Sequence, residues 1–507
     1  MSYHLVWFKR DLRLHDHAAL HAASRRGPVL GLYIVEPGLW QQPDAARQHY
    51  EFVRESLADL QRALQQRGGQ LLVLQGEATE VLTRLWQAAP FASLYSHEET
   101  GNGWTYARDR TVARWCRAHG VPWQELPQFG VVRALRNRDH WQGAWEALMA
   151  APVLEAPAPH FAPRPCASEP LPPYSALGLD PHDPPQRQRG GRTRGLAVLD
   201  SFLDERARQY RGGISSPLSA PTACSRLSAY LAWGCLSLRE VVQATRERAA
   251  CSADARLKAG LHAFQSRLYW HCHFIQKLES EPAIEFENMH RGYDGLREDD
   301  FNAAHFEALS TGRTGWPLVD ACVAMLRETG WLNFRMRAML VSVAAYPLWL
   351  HWRPVGEWLA TQFLDYEPGI HWSQLQMQSG TTGINTTRVY NPVKQALDHD
   401  PQGRFVRQWL PALRRVPDSW LLEPWRMPVS VQQACGVRIG QEWPQPLVDL
   451  ETGTRAAKQR LYERRGQAGV RAAKAGIVQK HGSRHRPEGT TSRAAPAAPD
   501  RQLSLDW

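Results

Sequence analysis

The chain has 507 residues, 43% hydrophobic and 22% charged, enough for two or three ordinary globular cores. Its formal charge of +10 is uneven: residues 451–507 hold 12 Lys/Arg against 5 Asp/Glu, the remainder 48 against 45. The basic balance therefore does not by itself make the body of the protein a nucleic-acid binder.

The eight cysteines form no C-x-x-C pair, which argues against a disulfide framework or a zinc site. "HCH" at 271–273 would point to different sides of a helix, so no metal is expected there. No secretory leader opens the chain, and the apolar run 338–350 is too short to span a bilayer. The expectation is a soluble, cytoplasmic monomer that does not contact a membrane.

In chain order, short apolar runs at 4–8, 29–35, 71–76 and 93–98 alternate with helical patterns, clearest at 45–68. That alternation predicts a Rossmann-like α/β domain with a parallel sheet over residues 1–132. No G-x-G-x-x-G follows the first strand, so a dinucleotide fingerprint is missing. A Pro-, Gly- and Arg-rich stretch at 151–200 marks a connector, assigned to 133–196. An all-α domain is expected over 197–465, and a disordered basic tail over 466–507.

Within the helical block, "GWLNFRMRAMLVSVAAYPLWLHW" (330–352) places Arg335 and Arg337 at the head of a core-like helix. Buried guanidinium groups require an anionic partner. Upstream, Cys224, Ser225 and Ser228 in "ACSRLSAYLAWGCLSLRE" put small polar groups ahead of a helix, where free N–H groups bind phosphate. Tryptophan is abundant, with 21 copies, and indoles suit stacking on flat ligands.

Together with "LVWFKRDLRLHDHAAL", "TGRTGWPLVDACVAMLRETGWLNFRMR", "RVYNPVKQALDHDPQGRFVRQWLPAL" and "WPQPLVD", these motifs resemble the DNA photolyase/cryptochrome flavoproteins, up to about residue 465. The resemblance implies FAD held by Tyr210, Cys224, Ser225, Arg226, Leu227, Ser228, Arg337, Asp365, Glu367 and His371, with Arg337 paired to Asp365. It implies an auxiliary antenna chromophore on the α/β domain, near "SHEETGNGWTYARD" (96–109), of open identity. On the DNA side it assigns Trp270 to stack on a flipped pyrimidine dimer, with Arg267, His271, Arg335, Arg388 and Gln395 around it. Trp352, Trp372 and His371 are assigned to the photochemistry.

The implied activity is that of a DNA photolyase, a carbon–carbon lyase that splits UV-induced pyrimidine dimers by blue-light electron transfer from reduced FAD. The alternative is a cryptochrome photoreceptor that binds FAD without repair. Four departures bear on the choice. Arg267 replaces the family's Glu, and Asn333-Phe334-Arg335 replaces H-N-R, which counts against (6-4) repair. His371 falls where an Asn usually faces the flavin. Of the family's three relay indoles, the middle one is Trp352, the outer falls on Asp299, and the inner falls on Trp372, Ser373 or Leu375. Finally, Gln502, Leu503, Leu505 and Trp507 in the terminal "RQLSLDW" resemble the peptide by which bacterial repair proteins hook onto the sliding clamp.

Overall fold

The computed structural model describes residues 3–158, 160–384 and 388–483. Five parallel strands, β1 (His4–Phe8), β2 (Val29–Val35), β3 (Leu71–Gln75), β4 (Ser93–His97) and β5 (Trp123–Leu126), form one sheet in the order β3-β2-β1-β4-β5. The period-2 geometry sends Leu5 and Trp7 to one face and Val6 and Phe8 to the other, and both faces are buried. On one side pack Val81, Leu85, Val112 and Trp115; on the other, Phe52 and Leu57 join Leu199 and Phe202 of the helical block in a shared core. β5 escaped the sequence reading because "WQEL" is a polar edge strand with no apolar run.

The expected 45–68 helix runs from Arg47 to Gln65. The connector is less bare than expected, since it contains the helix Trp141–Ala150, and the helix Arg192–Asp204 begins inside it. Its Pro-rich part docks on the sheet instead: Val29 N–H donates to His160 O at 2.8 Å, and Glu169 N–H donates to Val73 O at 2.8 Å. These bonds take up backbone groups that no helix would satisfy.

The helical block centres on Ala255–Ser280, packed against Pro368–Ser379. The tail reading is corrected over its first part. Residues Ala468–His481 form a helix that buries Val470 and His481, and His481 Nε2 lies 2.7 Å from Glu281 Oε2. Its Ala- and Lys-rich composition has strong helix propensity, which outweighed the low-complexity signal. The clamp-type peptide at Gln502, Leu503, Leu505 and Trp507 lies outside the described residues. No helix among the described residues is long and apolar enough to cross a membrane.

Candidate functional site

Two adjoining cavities open inside the helical block and share Ser228, His271, Arg337, Asp365 and Gln374. The inner one reaches Glu367 and His371, and the outer one reaches Tyr210, Cys224, Arg226, Arg267, Trp270 and Arg335. Residues far apart in sequence thus meet around one space.

Arg337 lies in the first turn of the Phe334–Ala345 helix, and Asp365 in the loop before Pro368–Ser379. Their pairing is bidentate, Nη1 to Oδ1 and Nη2 to Oδ2, both at 3.0 Å. Arg337 Nε donates to Leu332 O at 2.6 Å, and its guanidinium lies 4.1 Å over Phe363. Burial works to raise the Asp365 pKa, but Arg337, Ser228 and Arg226 hold it below the ordinary carboxylate value. This arrangement makes a buried guanidinium tolerable.

Arg226 stacks on Trp331 at 3.8 Å and has φ of +63°, a left-handed backbone that a non-glycine residue adopts at a cost of about 1–3 kcal/mol. Burial lowers its pKa to about 10. The carbonyls of Cys224 and Ser225 accept from Arg206 at 2.5 and 3.1 Å, which fixes the loop. Burial pushes the Cys224 thiol up to about 12, so it stays neutral. Leu227 is buried beneath the loop.

Four guanidinium groups, Arg226, Arg267, Arg335 and Arg337, face two carboxylates in these cavities. Asn333 Oδ1, Arg335 Nε and Gln374 Oε1, all on lining residues, are buried with no hydrogen-bond partner among the described residues. A dianionic pyrophosphate with a flat polar ring fits both the charge excess and the orphaned polar groups. The donor set fits FAD.

His371 is buried, and its Nε2 lies 2.9 Å from Gly356 O, so that nitrogen carries the proton. Burial lowers its pKa to about 4 and leaves a neutral imidazole. Glu367 caps the N-terminus of Pro368–Ser379 and pairs with Arg10 of the α/β domain at 3.3 Å. Burial outweighs Arg10 and raises Glu367 to about 7. The fold therefore favours its protonated form, and the stability this provides is lost as pH rises from 4.5 through 7. Glu367→Gln, which keeps the neutral shape, should gain stability relative to wild type between pH 4.5 and pH 8. The gain has an upper bound of about 3 kcal/mol. Denaturant titrations at the two pH values check this, and a pH-independent difference contradicts it.

On the outer side, Trp270 is half-buried, stacks on Phe274 at 5.7 Å, and borders the cavity beside Arg267 and Arg335. Arg267 is hydrogen-bonded to the buried Tyr210 phenol, and burial lowers its pKa to about 10. Two residues of the DNA-side set are placed differently from Trp270. His271 lines both cavities, and burial lowers its pKa to about 4. Gln395 is buried in the Pro392–His399 helix, which packs on Pro317–Thr329, and it borders neither cavity. Arg388 is half-buried and also outside both cavities.

Trp372 and Trp352 are in edge contact at 5.9 Å, and Trp352 Nε1 donates to Asn288 at 2.8 Å. Neither borders a cavity, whereas Leu375, one turn beyond Trp372, does. Asp299 is exposed, so no indole stands at the outer relay position. Phe334, Ile370 and Gln374 were missed as lining residues. The 370-371-374-375-378 spacing on one helix face carried that signal.

Among the described residues one cluster has metal-like spacing, Asp11 with His17 and His97. His17 Nδ1 accepts from Leu20 N–H at 3.0 Å, so the proton sits on Nε2, the atom a metal would need. Asp11 Oδ2 instead is hydrogen-bonded to His97 Nδ1 at 2.7 Å and lies 3.0 Å from His17 Nε2.

A family model described as DNA photolyase matches residues 4–135, and one described as the FAD binding domain of DNA photolyase matches residues 264–463. The chain is 30% identical over 493 residues to a cryptochrome DASH of Gloeobacter violaceus, covering 90% of this chain and 95% of that one. It is 29% identical over 466 residues to a deoxyribodipyrimidine photo-lyase of Streptomyces griseus, covering 89% and 97%. The solved structure of a Synechocystis cryptochrome superposes with a TM-score of 0.80 at 25% identity, covering 90% and 99%.

Proposed function

The chain belongs to the DNA photolyase/cryptochrome family, and from that premise we propose that it is a flavin-dependent photolyase acting on UV-damaged DNA. One observation carries the reading. Trp270, Arg267 and Arg335 border the same outer cavity as the Arg337–Asp365 pair, so a stacking face and cationic donors adjoin the cofactor residues. A flipped dimer stacks on Trp270 while Arg335 holds its phosphates.

When bound, reduced FAD supplies the light-driven electron that opens the dimer. The chain's own share is to bind, orient and exclude water. Arg337 and Asp365 anchor the cofactor, neutral His371 places no second cation beside it, and Trp270 orients the lesion. Arg335→Ala should weaken binding to all DNA sequences and reduce the salt slope by about 1. An unchanged slope removes Arg335 from the strand contact.

A third, narrow cleft lies at the carboxyl ends of β1, β2 and β4, where the strand order reverses, and is lined by Trp7, Lys9, Trp40 and Arg108. An antenna chromophore is assigned there.

The second reading, a photoreceptor without repair, is favoured by Arg267, a cation bound to Tyr210 at the cavity wall. Light-dependent repair assays with cyclobutane and (6-4) oligonucleotides, run separately, divide the two readings and identify the lesion.

A further inference from the structure

The inner cavity has a single oxidisable aromatic ring in its lining, Tyr366; no tryptophan borders it among the described residues. Tyr366 lies between that cavity and the one at the strand ends and lines both. Its ring stands edge-on to His371 at 5.1 Å. The phenol donates to Asp44 Oδ2 at 2.6 Å, and Asp44 is held from its other side by Asn102 Nδ2 at 2.9 and 3.2 Å. Arg10 donates to the Tyr366 carbonyl at 2.7 Å and fixes the backbone.

A buried phenol with a carboxylate on its O–H can lose an electron and a proton together. Burial and Asp44 both hold the Tyr366 pKa well above its ordinary value, so the phenol stays protonated until it is oxidised. The indole pair Trp372–Trp352 lies behind the lining, and its outer position is empty of tryptophan. Trp372 stands 5.0 Å from His371, as near as Tyr366 does, but only Tyr366 borders the inner cavity.

We propose that Tyr366 is an electron donor to the flavin of the inner cavity, with Asp44 as its proton acceptor. The inference rests on the flavin assignment and not on repair. The acceptor is the light-excited oxidised flavin, which gains one electron from the phenol. The Tyr366 O–H bond breaks, and its proton moves to Asp44 Oδ2 along the existing hydrogen bond. This leaves a neutral tyrosyl radical and a protonated Asp44. When reduction is to last, a thiolate from solution returns one electron to the tyrosyl radical and becomes a thiyl radical, while Asp44 hands its proton back to the phenol oxygen.

The test is electron paramagnetic resonance on FAD-loaded protein frozen under blue light. The wild-type radical signal should narrow when the protein is grown on ring-deuterated tyrosine, and the tyrosyl component should vanish in Tyr366→Phe. Asp44→Asn should slow flavin photoreduction about tenfold or more and remove its solvent deuterium isotope effect. A flavin-loaded wild type whose signal ignores tyrosine deuteration, with Tyr366→Phe photoreducing at the wild-type rate, overturns this inference alone. A protein that neither carries nor takes up FAD overturns the flavin assignment with it.

Discussion

Asp365→Ala protein should purify colourless. The substitution removes both acceptors of the Arg337 fork and leaves a largely buried guanidinium held only by Leu332 O and the Phe363 ring. Breaking such a pair from one side costs about 3–5 kcal/mol. The loss falls on the cavity wall, where Asp365 also receives Ser228 and balances Arg226. Asp365→Asn separates charge from shape, since it keeps an acceptor oxygen but loses the negative charge, and its FAD content should lie between the two. Circular dichroism confirms folding, and absorbance near the flavin band reads cofactor content. A folded, fully yellow Asp365→Ala protein would take this pair out of the binding account.

Trp270→Ala should lose roughly 1–3 kcal/mol of affinity for damaged DNA, the worth of one base–aromatic stack, with FAD content unchanged. The separation is expected because Trp270 makes no contact with the Arg337–Asp365 pair and borders only the outer cavity, on the side of Arg267 and Phe274. Trp270 also stacks on Phe274 and meets His273 edge-on at 4.7 Å. Trp270→Phe keeps part of that packing and should recover part of the affinity. Fluorescence anisotropy against damaged and undamaged duplexes measures both. If Trp270→Ala binds the two duplexes as wild type does, the indole is core packing and the photoreceptor reading gains.

The parts of this molecule legible in the sequence are those where local pattern and tertiary demand coincide. Four strands announced themselves because parallel strands buried on both faces are continuous apolar runs, whereas β5, a polar edge, did not. The sequence by itself showed only that guanidinium groups at the head of an apolar run need an anion; Asp365 as the partner of Arg337 was legible through the family resemblance. Gln395 and His271 mark a limit of the sequence reading. Motif matching places a residue on an element, but the face it turns to is set by how that helix packs. Gln395 is buried, and His271 lines both cavities. Trp372 shows the same limit: it touches Trp352, yet Leu375 holds the cavity wall. Tyr366 carried no sequence signal at all, because its partner Asp44 lies 322 positions away in the other domain.

The most direct measurement is blue-light repair by the chemically reduced, FAD-loaded protein of an oligonucleotide carrying one defined pyrimidine dimer. A cavity with its stacking face and cationic mouth beside the cofactor pair predicts restored pyrimidines that accumulate only under illumination and more slowly, at sub-saturating DNA, with Trp270→Ala. Tight flavin loading with no repair of either cyclobutane or (6-4) lesions, in single-stranded or duplex DNA, would contradict the photolyase assignment.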